Sequence, residues 1–213
     1  MLSTSCQDTD SRLPSIYSIG HSNQHMETFL GLLHKHNVQV LIDVRSHPYS
    51  RYVRHFNGPD LAHAAGHAHI QYHFMGKELG GRPDSEEFYD ADDHVLYSRV
   101  AESPLFLKGI EHLEEIGRVS RVAIMCSEED PTYCHRHLLI GRVLAQRGIN
   151  LLHIRGDGHM QRAEELTSHE KLALNQPSLF DESIPDSKDR EAYEWRSIRP
   201  VSRRKPQPNS SDH

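Results

Sequence analysis

The sequence has no apolar run near the roughly 20 residues that cross a bilayer, and no apolar segment follows Met1. Its cysteines number only three, an odd and small count that is not typical of a disulfide-rich secreted scaffold. Acidic residues outnumber lysine and arginine by 30 to 24, so the chain lacks the overall positive charge of a protein that coats nucleic acid or an acidic membrane. These absences predict a reduced cytoplasmic protein with no membrane partner.

Hydrophobic residues are also few, at 36% of the 213 positions. A chain of this length fits one domain, and the low apolar content indicates that part of it is solvated tail. Residues 1–14 are polar and aperiodic, and residues 176–213 are rich in proline and mixed charge. We therefore predict a disordered segment at 1–14, one domain at 15–175 and a flexible tail at 176–213.

Between the two ends, short apolar segments alternate with amphipathic ones, as in βαβ units. The sequence predicts strands at 16–19, 40–44, 121–125 and 151–154, and helices that include 85–101 and 104–117. A later helix through Leu138 and Leu144 is expected to end at Gly148. The predicted fold is a single three-layer α/β domain, with a mostly parallel sheet flanked by helices.

Side chains suited to catalysis follow three of the predicted strands. The carboxyl ends of parallel strands lie at one edge of a sheet, where ligands bind. Cys126 ends one strand and precedes a helix, where amide groups and a nearby arginine can lower a thiol pKa by one or more units from about 8.5. We therefore treat Cys126 as a candidate nucleophile, with a small buried packing residue as the alternative.

Two further catalytic candidates lie in the other two loops. His21 follows the first strand and is a candidate acid or base. Asp43 lies near the end of the second predicted strand, next to Arg45, which suits it to orienting a loop or pairing with that arginine more than to taking a proton.

Several arginines accompany these loops, and their guanidinium groups suit phosphate or carboxylate. Lys77 to Pro83 contains two glycines that permit a tight turn facing an anion, although the same residues also suit an ordinary loop. These features predict an anion pocket for a phosphorylated small molecule or nucleic acid. The candidate substrate-binding residues are Asn23, Arg45, Arg51, Arg82, Glu128, His135 and Arg136.

A metal site is an alternative for the third loop, because Cys126, Glu128, Cys134 and His135 supply thiolates, a carboxylate and an imidazole, which are the usual donors to zinc. Cys126 and Cys134 stand eight positions apart, whereas paired zinc ligands usually have two to four residues between them. We therefore assign no metal ligand from the sequence, and zinc remains the alternative cofactor. The acidic residues of the loop also suit a helix start.

The predicted tail begins with a short motif, Gln176-Pro177-Ser178-Leu179-Phe180. It resembles the bacterial peptide that docks into an apolar pocket of the replication sliding clamp. Gln176, Leu179 and Phe180 are therefore the candidate partner-binding residues. The alternative is that Leu179 and Phe180 anchor the chain to its own domain.

Taken together, these motifs resemble bacterial members of the family catalogued as domain of unknown function 488. The resemblance covers about residues 15–160 and is carried by Ile19 to Asn23, Leu41 to Ser46, Glu78 to Arg82 and Met125 to Arg136. It implies no activity. A fainter likeness, through Ile42 to Arg45 and the loop after Cys126, is to rhodanese-like domains, and it implies a similar fold and sulfur transfer by Cys126.

Four functions follow from these residues, the last of them a zinc-binding structural module. The first is an enzyme acting on a phosphate-bearing substrate, with nucleic acid in a repair context as one such substrate. The second is a non-enzymatic adaptor that binds nucleic acid and is tethered to the clamp. The third is a rhodanese-like sulfurtransferase that uses Cys126.

Overall fold

A computed structural model describes residues 15–166 and 195–201. The strands are β1 (Ser15–Gly20), β2 (Val40–Asp43), β3 (Gln71–Phe74), β4 (Val122–Cys126), β5 (Asn150–Ile154) and β6 (Met160–Arg162). The helices are α1 (Met26–Lys35), α2 (Gly58–His67), α3 (Gly76–Leu79), α4 (Tyr97–Glu102), α5 (Pro104–Val119) and α6 (Arg142–Gln146). A π-helical segment, Arg136–Gly141, runs directly into α6, and short 3-10 turns cover Arg54–Phe56, Glu86–Phe88 and Pro131–Tyr133.

The strands form one sheet in the order β3-β2-β4-β1-β5-β6. All neighbouring pairs are parallel except β5 and β6. Gly20 pairs with Cys126, and Asp43 pairs with Met125, so β1, β2 and β4 end at nearly the same level. This confirms the predicted α/β domain with a mostly parallel sheet.

Apolar side chains pack on both faces of the sheet. Successive residues of a strand point to opposite faces, and all of β4 is buried. Ala123 and Met125 pack with the helices α1 and α2. Val122, Ile124 and Cys126 belong to the other core, with α5 and α6. The domain therefore has three layers, and Cys126 faces the α5 and α6 side.

The predicted helix at 85–101 is wrong over most of its length. Only a 3-10 turn at Glu86–Phe88 and the start of α4 at Tyr97 are helical there. Between them the Asp90 carboxylate accepts hydrogen bonds from the backbone N–H groups of Asp92 and His94. Such local side-chain bonds compete with helix formation, and this segment instead forms a turn closed by a Tyr89–Val95 bridge.

Residues 195–201, which the sequence places in the tail, pack against the domain. The Trp195 indole donates a hydrogen bond to the Leu138 carbonyl at 3.0 Å, and the Arg142 guanidinium lies 4.5 Å from the centre of the same ring. Arg196 forms an ion pair of 2.5 Å with Asp90. We call residues 195–201 the C-terminal strap. Over the two described ranges, no helix has the length and apolar character required to cross a membrane.

Candidate functional site

A cavity of about 490 Å³ opens at the carboxyl ends of β2 and β4. Its walls come from the loops after these strands, from Gly81 and Arg82, and from Ser197 to Val201 of the strap. Cys126, Cys134 and His135 also line it. A larger, more open depression of about 720 Å³ at the opposite edge of the sheet is lined by His34, Asn37, Val38, Gln39 and Arg121. Those five residues offer no thiol or carboxylate, so we place the candidate site in the smaller cavity.

Two cysteines and a histidine form a compact cluster in this cavity. The Nδ1 atom of His135 lies 3.9 Å from the Cys126 sulfur and 3.7 Å from the Cys134 sulfur. The two cysteine side chains are 8% and 2% exposed. The Nε2 atom of His135 lies 3.0 Å from the Val44 carbonyl oxygen. Because a carbonyl can only accept, Nε2 carries the proton and Nδ1 presents its lone pair to both sulfurs.

A tight return of the loop brings Cys134 back beside Cys126. The Asp130 carboxylate accepts hydrogen bonds from both the backbone N–H and the hydroxyl of Thr132 at 3.0 and 2.8 Å. This contact fixes the 3-10 turn at Pro131–Tyr133, and the next residue is Cys134. Cys126 and Cys134 are eight positions apart in the sequence, but this turn brings their thiols together in the structure.

The side chain of Arg136 stabilises this loop through hydrogen bonds to its backbone. Its side chain is fully buried, and Nη2 donates to the carbonyl oxygens of Glu128 and Glu129 at 2.7 and 2.5 Å. Nη1 donates to the Ser18 hydroxyl of β1 at 3.1 Å. The loop backbone at Glu128 can approach β1 closely because residue 20 is glycine. A Cβ at Gly20 would lie 1.8 Å from the Glu128 carbonyl oxygen. The guanidinium group of Arg136 is therefore occupied by hydrogen bonds to the loop and to β1.

The two thiols differ in acidity. Burial alone raises the pKa of Cys134, but a hydrogen bond from Cys126 and the charge of Arg136 outweigh it and bring the pKa to about 7. The hydrogen bond to Cys134 and then burial raise the pKa of Cys126. The geometry therefore favours the thiolate at Cys134, whereas the sequence predicts a lowered thiol pKa at Cys126.

Asp43, Arg45 and His21 form a second buried group behind the cavity wall. Arg45 donates through Nε and Nη2 to the two oxygens of Asp43, and Tyr72 donates its hydroxyl to Asp43 at 2.8 Å. Nη1 of Arg45 lies 3.1 Å from Nε2 of His21. The His21 ring stacks on Phe56 with ring centres 4.3 Å apart. Burial, followed by the charge of Arg45, lowers the pKa of His21 to about 4, so this ring is neutral near pH 7.

The structure separates the predicted site residues into three groups. Those that line the cavity are Cys126, Arg45, Arg82, Glu128 and His135. Those buried behind its wall are Asp43, His21 and Arg136. Asn23 and Arg51 are exposed and are not among the lining residues. Gln176, Leu179 and Phe180 lie outside the described residues.

Sequence reasoning underrates two contributors to the cavity. The sequence suggests Cys134 only as a metal ligand, although it immediately precedes two predicted site residues, His135 and Arg136. Arg199 belongs to a segment that the sequence predicts to be a solvated tail, with a weak phosphate-binding arm as the alternative, yet it lines the cavity with its guanidinium 5.0 Å from the centre of the Tyr133 ring. Only the folding of the strap onto the domain brings Arg199 there.

A family model described as Domain of unknown function DUF488 matches residues 25–143. The match includes the loops after β2 and β4 and ends before the strap. No curated protein and no solved structure matches the chain. The likeness to rhodanese-like domains therefore stays a prediction.

Proposed function

The chain belongs to the DUF488 family, whose description states no activity, and we propose from the geometry of its cavity that it is an enzyme acting on a small phosphate-bearing molecule. The observation that carries the proposal is that cationic side chains and the Cys126–Cys134–His135 cluster share one cavity. A volume of about 490 Å³ is that of a small-molecule site.

The anionic end of the substrate is held by Arg82 and Arg199. Both side chains are exposed and line the cavity, and guanidinium groups bind phosphate oxygens in bidentate geometry. The backbone N–H of Arg82 donates to the Ser46 hydroxyl at 2.9 Å, which fixes the turn that carries this side chain. Arg45 has a structural role instead, because the N–H groups of its guanidinium already contact Asp43, His21 and the Phe56 carbonyl.

The cluster provides the reacting end of the site. The electron-rich group there is the Cys134 thiolate, stabilised by the charge of Arg136. Glu128 is an exposed carboxylate on the same wall, and it suits a hydroxyl or amino group of the substrate better than its phosphate. The substrate class is therefore a phosphorylated molecule that also carries hydrogen-bond donors.

The test combines binding with protection of the thiol. Inorganic phosphate and ribose 5-phosphate are titrated into the full-length chain by calorimetry at low salt, with a chelator present. We expect saturable binding that weakens about 10-fold in Arg82→Ala or Arg199→Ala, the value of one charge-assisted hydrogen bond. Bound ribose 5-phosphate is also expected to slow the alkylation of Cys134 by iodoacetamide, because both occupy the same cavity.

Arg162→Ala is the matched control. Arg162 is an exposed arginine on β6 and is not among the cavity-lining residues, so its removal changes the net charge by the same amount without touching the site. The proposal is wrong if neither probe binds saturably, or if Arg162→Ala weakens binding as much as Arg82→Ala.

The other functions predicted from the sequence remain separate from this proposal. The clamp motif at 176–180 lies outside the described residues, so the tethered adaptor rests on the sequence alone. Nucleic acid would present many phosphates over an extended surface, whereas the two arginines line one cavity. Sulfur transfer by Cys126 would first require that thiol to lose its proton, which the raised pKa of Cys126 opposes.

A further inference from the structure

We infer that Cys126, Cys134 and His135 form a three-ligand zinc site whose fourth coordination position faces the cavity. The inference names the cofactor of the proposed substrate site, and it rests on the proposed function only for the use of that fourth position.

Both sulfur-to-nitrogen distances in the cluster are close to those of a tetrahedral zinc site. Zinc bonds of about 2.3 Å to sulfur and 2.0–2.1 Å to nitrogen place a sulfur and a nitrogen about 3.6 Å apart in a regular tetrahedron. The two sulfur-to-Nδ1 distances are 3.9 and 3.7 Å, and all three ligand atoms lie within 4.8 Å of one another. The two sulfur-to-nitrogen distances differ from this value by only a few tenths of an ångström.

His135 is oriented as a metal-binding histidine is. Zinc-bound imidazoles commonly donate their other ring N–H to a carbonyl or carboxylate, which fixes the tautomer and directs the free lone pair at the metal. Here Nε2 of His135 is directed at the Val44 carbonyl, and Nδ1 faces the two sulfurs. Gly81 packs against the ring, since a Cβ there would lie 2.7 Å from both Cγ and Nδ1 of His135.

The surroundings favour a site that keeps one position open. Structural zinc sites have four protein ligands, whereas catalytic sites have three and leave the fourth to water or substrate. All three ligands are buried, yet all three line the cavity. A zinc ion held by them would face the space in which Arg82 and Arg199 stand. An oxygen of a substrate bound by those arginines is the group that would occupy the fourth position.

The loop geometry removes the objection raised by the sequence. Cys126 ends β4, and Cys134 returns to it only after the turn fixed by Asp130 and Thr132. Motif spacing measures distance along the chain, whereas a metal requires closeness of the ligand atoms. The eight-position separation of Cys126 and Cys134 along the chain is therefore compatible with zinc binding by this loop.

The experiment measures metal content and coordination in the full-length chain. The protein is reduced, freed of metal with a chelator, dialysed, and titrated with zinc against a chromophoric chelator. We expect one zinc per chain and a loss of affinity of more than about 100-fold in Cys126→Ser, Cys134→Ser or His135→Ala, since changes at outer-shell residues alone cost about 10- to 100-fold. Cobalt added in place of zinc is expected to give a thiolate charge-transfer band and the visible spectrum of tetrahedral coordination.

Cys6→Ser is the matched control, because Cys6 is the remaining cysteine of the chain and lies outside the described residues. Circular dichroism of each variant separates loss of a ligand from loss of the fold. The inference is overturned if the reduced protein binds no zinc, if Cys6→Ser lowers affinity as much as Cys126→Ser, or if a Cys126–Cys134 disulfide forms in preference to the metal complex. Phosphate binding that persists without zinc would leave the proposed function standing, and zinc binding without phosphate binding would leave the metal site standing.

Discussion

Arg45 closes a buried two-point ion pair with Asp43, two residues earlier in the chain. Its Nε and Nη2 atoms donate to Oδ1 and Oδ2 at 2.9 and 2.6 Å, and the two side chains are 4% and 0% exposed. The same guanidinium reaches His21 after β1 and the carbonyl of Phe56 before α2. The pair therefore connects the end of β2, the loop after β1 and the segment before α2, at the edge of the sheet where the cavity opens.

Removing one partner of this pair is expected to be costly. Asp43→Asn leaves Arg45 buried without its counter-charge, and breaking a buried ion pair from one side costs about 3–5 kcal/mol of unfolding free energy. Urea denaturation followed by circular dichroism measures the loss.

Glu114→Gln provides the comparison. Glu114 of α5 pairs at 3.0 Å with Arg147, which follows α6, and at 3.7 Å with Arg118; the two arginines are 33% and 69% exposed and the Glu114 side chain is 13% exposed. Such pairs contribute about 1 kcal/mol or less. Equal losses in Asp43→Asn and Glu114→Gln would show that the Asp43–Arg45 pair does not fasten the site.

The central strands were predictable because burial on both faces leaves a clear pattern in the sequence. Every residue of β2 and β4 is buried, and parallel strands covered on both faces read as continuous apolar runs. Gly148 was predictable for a local reason, since its positive φ of 74° is a conformation that glycine adopts without strain.

The edge strands were not predictable, because they lack that burial. β3 carries the mixed sequence Gln71–Phe74, which is exposed or half-buried throughout, and it is defined by pairing with β2 rather than by its own composition.

The candidate site was predictable only in part, because it too depends on contacts between segments that are distant in the chain. The contact between Cys134 and Cys126 depends on a return of the loop, and that of Arg199 with the cavity depends on docking of the strap.

A buried histidine makes stability depend on pH. His153 lies between the Ser18 hydroxyl and the His137 ring, at 2.6 and 3.2 Å. Burial, followed by the charge of Arg136, lowers the pKa of His153 from 6.5 to about 2. Below pH 6.5 the unfolded chain binds a proton at this residue and the folded chain does not, so the stability is complete above pH 6.5 and falls as the pH is lowered.

The slope for one such group is about 1.4 kcal/mol per pH unit, or roughly 2 kcal/mol between pH 6.5 and pH 5. His153→Gln keeps hydrogen-bonding groups in place but cannot be protonated. Its unfolding free energy, measured in urea at several pH values, is expected to fall less steeply by about this amount. Parallel curves for the two proteins would rule out the contribution of His153.

Two glycine substitutions separate a crowded position from an open one. Gly81→Ala forces the His135 ring aside, because the new Cβ would lie 2.7 Å from two of its ring atoms. We expect a loss of roughly 1–3 kcal/mol in stability, as for other overpacked sites, and an affinity for zinc about 10-fold weaker, as for outer-shell changes.

Gly66→Ala in α2 is the matched control, because a Cβ at Gly66 meets no atom within 4 Å. Alanine is favoured over glycine within a helix by about 0.5–1 kcal/mol, so this variant is expected to gain stability and to keep its zinc affinity. Thermal melts and zinc titrations of both variants test the contrast. Unchanged zinc affinity in Gly81→Ala would mean that the ring position is not set by this contact.

Removal of the strap is expected to open the cavity. A chain that ends at Glu194 loses the wall formed by Ser197 to Val201 and the hydrogen bond from Trp195 to Leu138. A chain that ends at Val201 keeps both and is the control. We expect the shorter chain to lose about 2 kcal/mol or more of stability, from the loss of the Trp195 hydrogen bond and of the apolar area that the indole buries.

With a chelator present, iodoacetamide should alkylate Cys126 and Cys134 several times faster in the shorter chain, because access to the sulfurs is then limited less by the cavity wall. If both chains react at the same rate, reagents reach the cluster by another route, and Arg199 would then lie at the edge of the site rather than in the path of the substrate.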